Sequence, residues 1–327
     1  MNKSIARKFA KLYHRIVKNK KVNSTKKILL IDGNSFLYRS YYGSLSLLGR
    51  PGVSTNGVYT AIRMLRNFLT NFSHYQKIYV FFDLGKETVR HKEYPNYKIT
   101  RKKTPSELIE QISLFKDFLQ SIGVDFLENK NYEADDLIGS AADLILQKEI
   151  TVDILSNDRD LLQLIQPGVS QIFCKKGVSE IEKIDINNFS IKFLVKPNQV
   201  PDLKGLAGDK SDNILGVRGI GDKTAEKLLK DFDKIENIYQ NLGKLPVKLQ
   251  KLLSKNRKSA FQSKRLATII RNIPLQLNFT KTEYNFDNPQ AKDFYLKHRM
   301  FSLLKKNKTD FKKNKTESEN QQKHFSF

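Results

Sequence analysis

Three strongly apolar runs each end at an aspartate, and this pattern constrains the fold more than any other feature of the chain. The runs are KILLID, ending at Asp32, KIYVFFD, ending at Asp83, and TVDILSND, ending at Asp158. Apolar runs separated by helical patterns predict a parallel sheet that is covered on both faces. In such a sheet the ligand crevice lies beyond the carboxyl ends of the strands. The three aspartates are therefore expected at one edge, beside that crevice.

Further carboxylates lie in short acidic motifs along the chain. In YEADD, SNDRD and GDKSDN they are Glu133, Asp135, Asp136, Asp160, Asp209 and Asp212. A helix cap or the helix dipole could account for Glu133, but three adjacent acids exceed what a cap needs. Clustered carboxylates repel one another unless cations neutralise them. The motifs therefore predict a cation site at the sheet edge.

The residue types restrict which cation this site can take. Cys174 is the sole cysteine and the five histidines are scattered, so a thiolate or histidine metal site is excluded. Oxygen ligands favour Mg²⁺ or Mn²⁺, held largely through bound waters. Two such ions suit phosphodiester hydrolysis, because one activates water and the other stabilises the leaving oxygen. We therefore predict two ions per active site.

The chain is strongly basic, with 58 Lys and Arg against 34 Asp and Glu and a net charge of +24. Codon bias explains part of this excess; otherwise it favours nucleic acid, an anionic membrane surface or the ribosome as partner. Basic residues concentrate in residues 85–105, which lack a clean apolar stripe and predict a mobile basic loop or arch beside the active edge. A capping box at Thr104 to Glu107 then predicts a helix. No apolar run approaches the roughly 20 residues of a membrane span.

The segment GVRGIGDKTAEKLL, residues 216–229, permits two interpretations beyond a plain glycine-rich turn. A nucleotide-binding loop is disfavoured because Asp222 stands where that pattern needs lysine and no apolar strand precedes it. A helix–hairpin–helix turn fits better, since glycines let the backbone approach phosphates and the next helix offers its N-terminal amides. The predicted DNA-binding residues of this turn are Gly216, Gly219, Gly221, Lys223 and Thr224.

Taken in order, these motifs resemble the bacterial 5′–3′ exonuclease and flap endonuclease family, which includes the N-terminal nuclease domain of DNA polymerase I. From about Lys27 to Pro274 the motifs are IDGNSFLYRSYYG, TNGVYTAIRML, VFFD, RHKEYPNYKITR, YEADDLIG, ILSNDRDLLQL and GDKSDNILGVRGIGDKTAEKLL. The resemblance implies an α/β fold: a PIN-like 5′-nuclease domain whose mostly parallel central sheet is covered by helices. It also implies a C-terminal helical subdomain of the helix–hairpin–helix (helix–three-turn–helix) type that binds DNA.

The resemblance also implies roles for individual residues. All nine acids would hold metal in two groups. The group that would serve mainly the catalytic site is Asp32, Asp83, Glu133, Asp135 and Asp136, and the group that would serve mainly the second site is Asp158, Asp160, Asp209 and Asp212. Lys98 and Arg101 would contact the scissile phosphate and stabilise developing charge. Tyr38, Arg39 and Arg90 would contact DNA, and Tyr97 would stack on an unpaired base. The hairpin at residues 211–221 would bind K⁺ through backbone carbonyls.

The predicted organisation has four parts. Residues 1–26 form a basic extension, residues 27–190 the nuclease domain, residues 191–300 the helical domain, and residues 305–327 a lysine-rich, disordered tail. For the extension, a basic amphipathic helix, a transit peptide and a poorly ordered segment stay open as interpretations. With no polymerase domain following, a stand-alone nuclease is expected.

The expected function is that of a 5′–3′ exonuclease and structure-specific flap endonuclease in Okazaki-fragment processing and DNA repair. The expected partners are DNA with 5′ flaps, nicks or RNA-primed 5′ ends, with functional coupling to a DNA polymerase and ligase. A monomer without membrane contact, in the cytoplasm with the bacterial nucleoid, is expected. A PIN-class ribonuclease is a weaker alternative because such small domains lack the glycine hairpin. A non-catalytic structure-specific DNA-binding protein is weakened by the retention of all nine acids.

Overall fold

A computed structural model describes residues 26–44, 54–72, 74–85 and 87–304 of the chain. Within them, one mixed sheet is built from β1 (Lys27–Asp32), β2 (Lys77–Asp83), β3 (Asp125–Asn129), β4 (Thr151–Leu155), β5 (Val169–Lys176) and β6 (Glu180–Ile184). The strand order is β3-β2-β1-β4-β5-β6. All neighbouring pairs are parallel except β5 and β6, which are antiparallel. The predicted lysine-rich tail and the basic extension before Lys26 lie outside the described residues.

The three strands predicted from apolar runs are the three central ones. β1 and β2 end at Asp32 and Asp83, while β4 ends at Leu155, with Asp158 three residues further on. Because Asp32 is in register with Phe81 of the parallel strand β2, these chain ends meet at one edge of the sheet. The outer strands β3, β5 and β6 have weaker apolar patterns, and the sequence did not reveal them.

The helices lie on both faces of the sheet and in a second region that follows it. They are α1 (Gly33–Gly43), α2 (Asn56–Asn71), α3 (Val89–Glu93), α4 (Ser106–Ser121), α5 (Ala134–Leu146), α6 (Phe189–Lys192), α7 (Val200–Ala207), α8 (Asp222–Phe232), α9 (Ile235–Gln240), α10 (Val247–Lys255), α11 (Arg257–Ala267) and α12 (Pro289–Lys297). No helix in the described ranges is both long and apolar enough to cross a bilayer.

Side chains alternate across the central strands, so that both faces of the sheet are buried. Leu29 and Ile31 of β1 pack into one core with helices α1, α2 and α4, and Ile28 and Leu30 pack into another with α5. The predicted fold class, a mostly parallel sheet covered by helices, is therefore confirmed. Burial on both faces explains why the strand sequences are apolar throughout rather than alternating.

The helical region from α7 to α11 has its own core, which contains Leu206, Ile220 and Leu253. The predicted hairpin joins α7 to α8. Its backbone requires glycine at one point: Gly216 has a φ of +63°, and an added Cβ would lie 2.3 Å from the backbone nitrogen of Gly208. Such a contact excludes any other residue type there.

The end of the predicted helical domain, residues 191–300, packs against the nuclease domain. From Ile269 onward the chain returns to the nuclease domain: Ile269 and Ile273 pack with α5, and Tyr295 of α12 packs with Phe118 of α4. This segment lacks a continuous helical pattern until α12, so its apolar residues gave no sign of which core they join. Within the described residues, the core of the helical region therefore ends in α11.

The helix predicted at residues 104–107 forms without the predicted capping box. Helix α4 begins at Ser106 after Pro105, and no side chain caps it. The hydroxyl of Thr104 shares a hydrogen bond with the hydroxyl of Tyr38 instead. Glu107 accepts a hydrogen bond from the hydroxyl of Tyr41, at 3.3 Å. The polar residues that suggested a cap thus join α4 to α1.

We expect Tyr295→Ala to destabilise the nuclease domain by about 3–5 kcal/mol, as loss of a buried aromatic ring typically does. The ring is fully buried and its hydroxyl donates to the carbonyl oxygen of Phe286 at 3.0 Å. Denaturant unfolding measures the effect. Phe301→Ala is the matched control, because Phe301 is nearby in sequence and 60% exposed. Equal stabilities of the two variants would contradict the assignment of α12 to this core.

Candidate active site

Four carboxylates at the sheet edge have no ion-pair partner within the described residues. We call them the inner acids: Asp32, Asp83, Asp135 and Asp158. Asp32 caps α1, accepting from the backbone N–H of Ser35 at 2.9 Å, and accepts from the hydroxyl of Ser156 at 2.8 Å. Asp83 accepts from the backbone N–H of Ala134 at 2.7 Å, which fixes the start of α5 against the end of β2.

The inner acids interact through their negative charges. Burial, together with repulsion from Asp83 and Asp158, raises the pKa of Asp32 from 3.8 to about 7, although hydrogen bonds from Ser35 and Ser156 oppose the shift. Burial and repulsion from Asp158 and Asp32 raise the pKa of Asp135 well above its ordinary value. Mutual repulsion among these acids marks a concentration of negative charge that a cation would offset.

The other five predicted ligands, which we call the outer acids, are each paired with a lysine or arginine of the chain. Lys98 donates to Glu133 at 2.7 Å, Arg101 to Asp212 at 2.5 Å and Arg90 to Asp136 at 2.6 Å; Lys204 pairs with Asp160 and, at 2.5 Å, with Asp209. The predicted division of the nine acids into two metal groups stays a prediction. Asp158, predicted for the second group, interacts with Asp32 and Asp135 of the first.

Asp136 and Arg90 form a buried bidentate ion pair. Both carboxylate oxygens of Asp136 accept from the Arg90 guanidinium, at 2.6 and 2.7 Å, and the residue is 0% exposed. Arg90 also donates to the carbonyl oxygens of Leu266 and Thr268. The pair joins α3, α5 and the end of α11. Metal binding by Asp136 and a DNA contact by Arg90 stay predictions.

The predicted basic arch is folded against the acids. It contains α3 and a series of turns, and Tyr97 at its centre is only 4% exposed. The Tyr97 hydroxyl donates to Glu133 at 3.1 Å and to Asp212 at 3.3 Å. In this conformation its ring cannot stack on a base, and the segment is not the loose loop that its composition suggested. Glu133 and Asp212, which are distant in sequence, hold this segment in place through their hydrogen bonds with Tyr97.

Lys98 and Arg101, the predicted catalytic cations, lie over the acids. Lys98 has a left-handed backbone, with φ of +56°, and its N–H donates to the carbonyl oxygen of Asp212 at 2.9 Å. Burial alone would lower the pKa of its ammonium, but the carboxylates of Glu133 and Asp212 raise it. The same opposition raises the pKa of Arg101 next to Asp212. Both groups therefore stay charged.

Tyr38 and Arg39, predicted to contact substrate, lie on α1 close behind Asp32. Both are half-buried. Arg39 donates to the carbonyl oxygen of Lys175 at 2.7 Å, and Tyr38 is tied to Thr104 at the end of the arch. Their contacts with substrate remain predictions.

Two residues of the site escaped the sequence analysis. Lys204 of α7 joins Asp160 to Asp209, and although burial opposes it, these two carboxylates raise the pKa of its ammonium. Ser156 donates to Asp32. A single lysine or serine in an ordinary helix or strand end carries no sequence signal for such a role.

The hairpin lies next to this site. Gly221 precedes α8 in an exposed turn, Lys223 is exposed and Thr224 is half-buried, so the start of α8 is accessible. A groove of about 1010 Å³ runs from the acids to this point, lined among others by Arg101, Asp158, Lys204, Asp212 and Gly221. The remaining predicted turn residues are placed differently. Gly216 is buried, with its carbonyl oxygen accepting from Ser259, and Gly219 faces α10.

The inner acids fit hard divalent ions. Their donors are all carboxylate oxygens, and the raised pKa values of Asp32 and Asp135 reflect a negative charge that a cation would offset. Among the described residues, no three acidic, histidine or cysteine side chains form a ready-made cage around one ion. Mg²⁺ dehydrates reluctantly and is commonly held through its waters, so binding of this ion does not require direct contact with every carboxylate.

The chain matches known proteins along most of its length. Residues 27–193 match the 5′–3′ exonuclease N-terminal resolvase-like domain, and residues 195–291 match the 5′–3′ exonuclease C-terminal SAM fold. These matches define a 5′–3′ exonuclease architecture of two domains. The chain belongs to the 5′–3′ exonuclease family.

Two relatives illustrate the range of the family. A 5′–3′ exonuclease of Mycoplasma genitalium is 40% identical over 262 residues, which cover 79% of this chain and 90% of the relative. DNA polymerase I of Bacillus caldotenax is 41% identical over 260 residues, 79% of this chain. The match spans only 30% of that polymerase.

Solved structures share the fold at low sequence identity. The T5 D15 protein, co-crystallised with metal ions, has a TM-score of 0.61 at 20% identity, covering 76% of this chain and 90% of its own. The catalytic core of Rad2 in complex with DNA substrate has a TM-score of 0.52 at 16% identity, covering 83% of this chain and 86% of its own. These likenesses agree with the sheet and helical domains found here.

In metal-free protein we expect Asp32→Asn to raise the unfolding temperature by several degrees at about pH 8. The pKa of Asp32 is raised to about 7, so the native site keeps a proton that the unfolded chain releases. The stability supplied by that proton is present at low pH and lost as pH rises through about 7. Asparagine resembles the protonated form, so its advantage should shrink between pH 7 and 4.

Thermal unfolding across this pH range, with and without Mg²⁺, checks the prediction. Mg²⁺ should stabilise the wild type more than the variant at pH 8. Asp143→Asn is the control, since Asp143 pairs with Arg271 away from the inner acids. If Asp32→Asn is less stable than the wild type at pH 8 without metal, the inner acids do not repel one another as described.

Proposed function

We propose that this chain is a divalent-metal-dependent 5′–3′ exonuclease and structure-specific flap endonuclease. It would hydrolyse phosphodiester bonds of DNA and of RNA primers. The observation that carries the proposal is the set of unpaired inner acids beside two charged basic groups, Lys98 and Arg101, at the mouth of a groove that leads to the hairpin. Membership of the 5′–3′ exonuclease family supports it.

The inner acids would hold two Mg²⁺ or Mn²⁺ ions, which when bound supply water activation and leaving-group stabilisation. Asp32 and Asp83 are fixed for this role by backbone hydrogen bonds at the ends of adjacent strands. Such bonds keep the carboxylates oriented without consuming all of their oxygen lone pairs.

Lys98 and Arg101 would bind the scissile phosphate. Both stay protonated next to their carboxylate partners, Glu133 and Asp212. A phosphate that enters the site would compete with these carboxylates for the cations. The cations would then stabilise the charge that develops as the phosphodiester bond breaks. Tyr38 and Arg39 would contact the same strand from α1.

The hairpin would grip the duplex part of the substrate. The exposed turn at Gly221 and the N-terminus of α8 offer backbone N–H groups to phosphates without reading sequence. K⁺ bound to hairpin carbonyls would add a positive charge at this contact. The groove between hairpin and inner acids would set the distance from duplex to cleavage point.

The natural substrates would be DNA with 5′ flaps, nicks or RNA-primed 5′ ends. Cleavage would serve Okazaki-fragment processing and repair, followed by a DNA polymerase and ligase. The similarity to part of DNA polymerase I supports the link to synthesis. The protein would act as a monomer in the cytoplasm, at the bacterial nucleoid. A PIN-class ribonuclease or a non-catalytic DNA-binding protein fits less well, because neither explains both hairpin and unpaired acids.

We expect the protein to cut 5′-labelled flap, nicked and RNA-primed duplexes in Mg²⁺. Asp158→Ala should slow cleavage by at least about 100-fold, since even groups behind metal ligands typically contribute 10–100-fold. Flap binding should stay within a few-fold. Single-turnover cleavage and fluorescence anisotropy measure the two effects.

Asp143→Asn is the matched control, because it removes an acid of α5 that pairs with Arg271 outside the site. It should cut at nearly the wild-type rate. Flap binding without Mg²⁺-dependent cleavage by the wild type would favour the non-catalytic alternative. Selective cleavage of single-stranded RNA would favour the ribonuclease.

A further inference from the structure

The helical domain carries a continuous basic region outside the hairpin. Every charged residue from Asn237 to Thr282 is basic. Some of these cations are used within the protein: Lys264 pairs with Asp202 and Glu236, and Arg265 pairs with Glu93. Others have no such partner, and these concentrate on α10.

Helix α10 presents three lysines to solvent: Lys248, Lys251 and Lys255. None of them forms an ion pair with any residue that the structure describes. At 3.6 residues per turn their positions fall within about 60° of one another around the helix. We call this set the α10 stripe. The opposite side of α10 is apolar and packs into the helical core through Leu253.

The α10 stripe lies beside the hairpin. A Cβ added to Gly219 would be 3.5 Å from both methyl groups of Leu252, so the hairpin turn rests directly on α10. Leu252 follows Lys248 by four residues and precedes Lys255 by three. Residues with these spacings are neighbours on a helix surface, so both lysines lie next to Leu252. The stripe and the exposed hairpin turn therefore form one continuous surface.

We infer that the α10 stripe binds phosphates of the substrate duplex beyond those reached by the hairpin. This inference rests on the proposed function. From Lys248 to Lys255 the stripe is about 10 Å long at 1.5 Å per residue. The duplex carries one phosphate charge per about 1.7 Å of helix axis, so several phosphates of its two strands lie within the length of the stripe. Lysines give affinity without sequence preference, as a nuclease that recognises structure requires.

The inference is tested by binding of flap substrates with duplex arms of about 8 and about 20 base pairs, without divalent ions. Anisotropy titrations between about 50 and 200 mM KCl give the salt dependence. For the long arm, Lys248→Gln/Lys251→Gln/Lys255→Gln should reduce the slope of log K against log salt by up to about 2.7, or 0.9 per contact. The short arm should show a smaller change.

A matched control separates local contacts from general attraction by net charge. Lys148→Gln/Lys292→Gln/Lys297→Gln removes the same charge from exposed positions at the end of α5 and on α12. Glutamine resembles lysine in helix propensity, so folding should survive in both triple variants. The control should bind both arms with nearly the wild-type slope.

Equal slopes for the two triple variants on the long arm would overturn the inference, since the α10 lysines would then act only through net charge. An unchanged slope for the α10 variant would overturn it as well and would leave the stripe free for another partner, such as an acidic protein. Cleavage of the short-arm flap in Mg²⁺ is measured alongside. If the wild type does not cut this substrate, the proposed function is rejected. If the α10 variant still cuts it, the stripe acts in binding and not in catalysis.

Discussion

Repulsion among carboxylates at the ends of parallel strands is the constraint on which the rest of this structure depends. Asp32 and Asp83 meet because β1 and β2 run in the same direction and end together, and Asp158 follows β4 at the same edge. Burial and mutual repulsion raise the pKa of Asp32 to about 7. The chain tolerates this unfavourable charge because two covered faces of apolar sheet hold the strand ends in place.

The surrounding residues limit how far that charge spreads. Each outer acid is neutralised by a lysine or arginine: Lys98, Arg101 and Arg90 come from the arch, and Lys204 from α7. These pairs hold the arch and the helical domain against the sheet edge. The result is a division between four acids without an ion-pair partner among the described residues and five acids that are paired with basic groups. The buried pair of Arg90 and Asp136 belongs entirely to the second kind.

The sequence could predict what depends on short-range pattern. Apolar runs predicted β1, β2 and β4 with their terminal acids, and glycine spacing predicted the hairpin. It could not predict what depends on contacts between distant segments. Tyr97 is buried because Glu133 and Asp212 converge on its hydroxyl, and Thr104 bonds to Tyr38 rather than capping α4. Likewise, Tyr295 packs against Phe118 of α4 because the two side chains fit together in the folded protein. No local sequence pattern predicts such a contact.

We propose that the inner acids bind the metal ions and that Asp136 does not. Calorimetric titration of Mn²⁺ into metal-free protein tests it directly, using Asp158→Asn and the double variant Arg90→Gln/Asp136→Asn. The double variant removes both buried charges together, so neither is left unpaired. We predict that Asp158→Asn weakens Mn²⁺ binding by at least about tenfold, while the double variant binds as the wild type does. Equal loss of Mn²⁺ binding in the two variants would contradict the account.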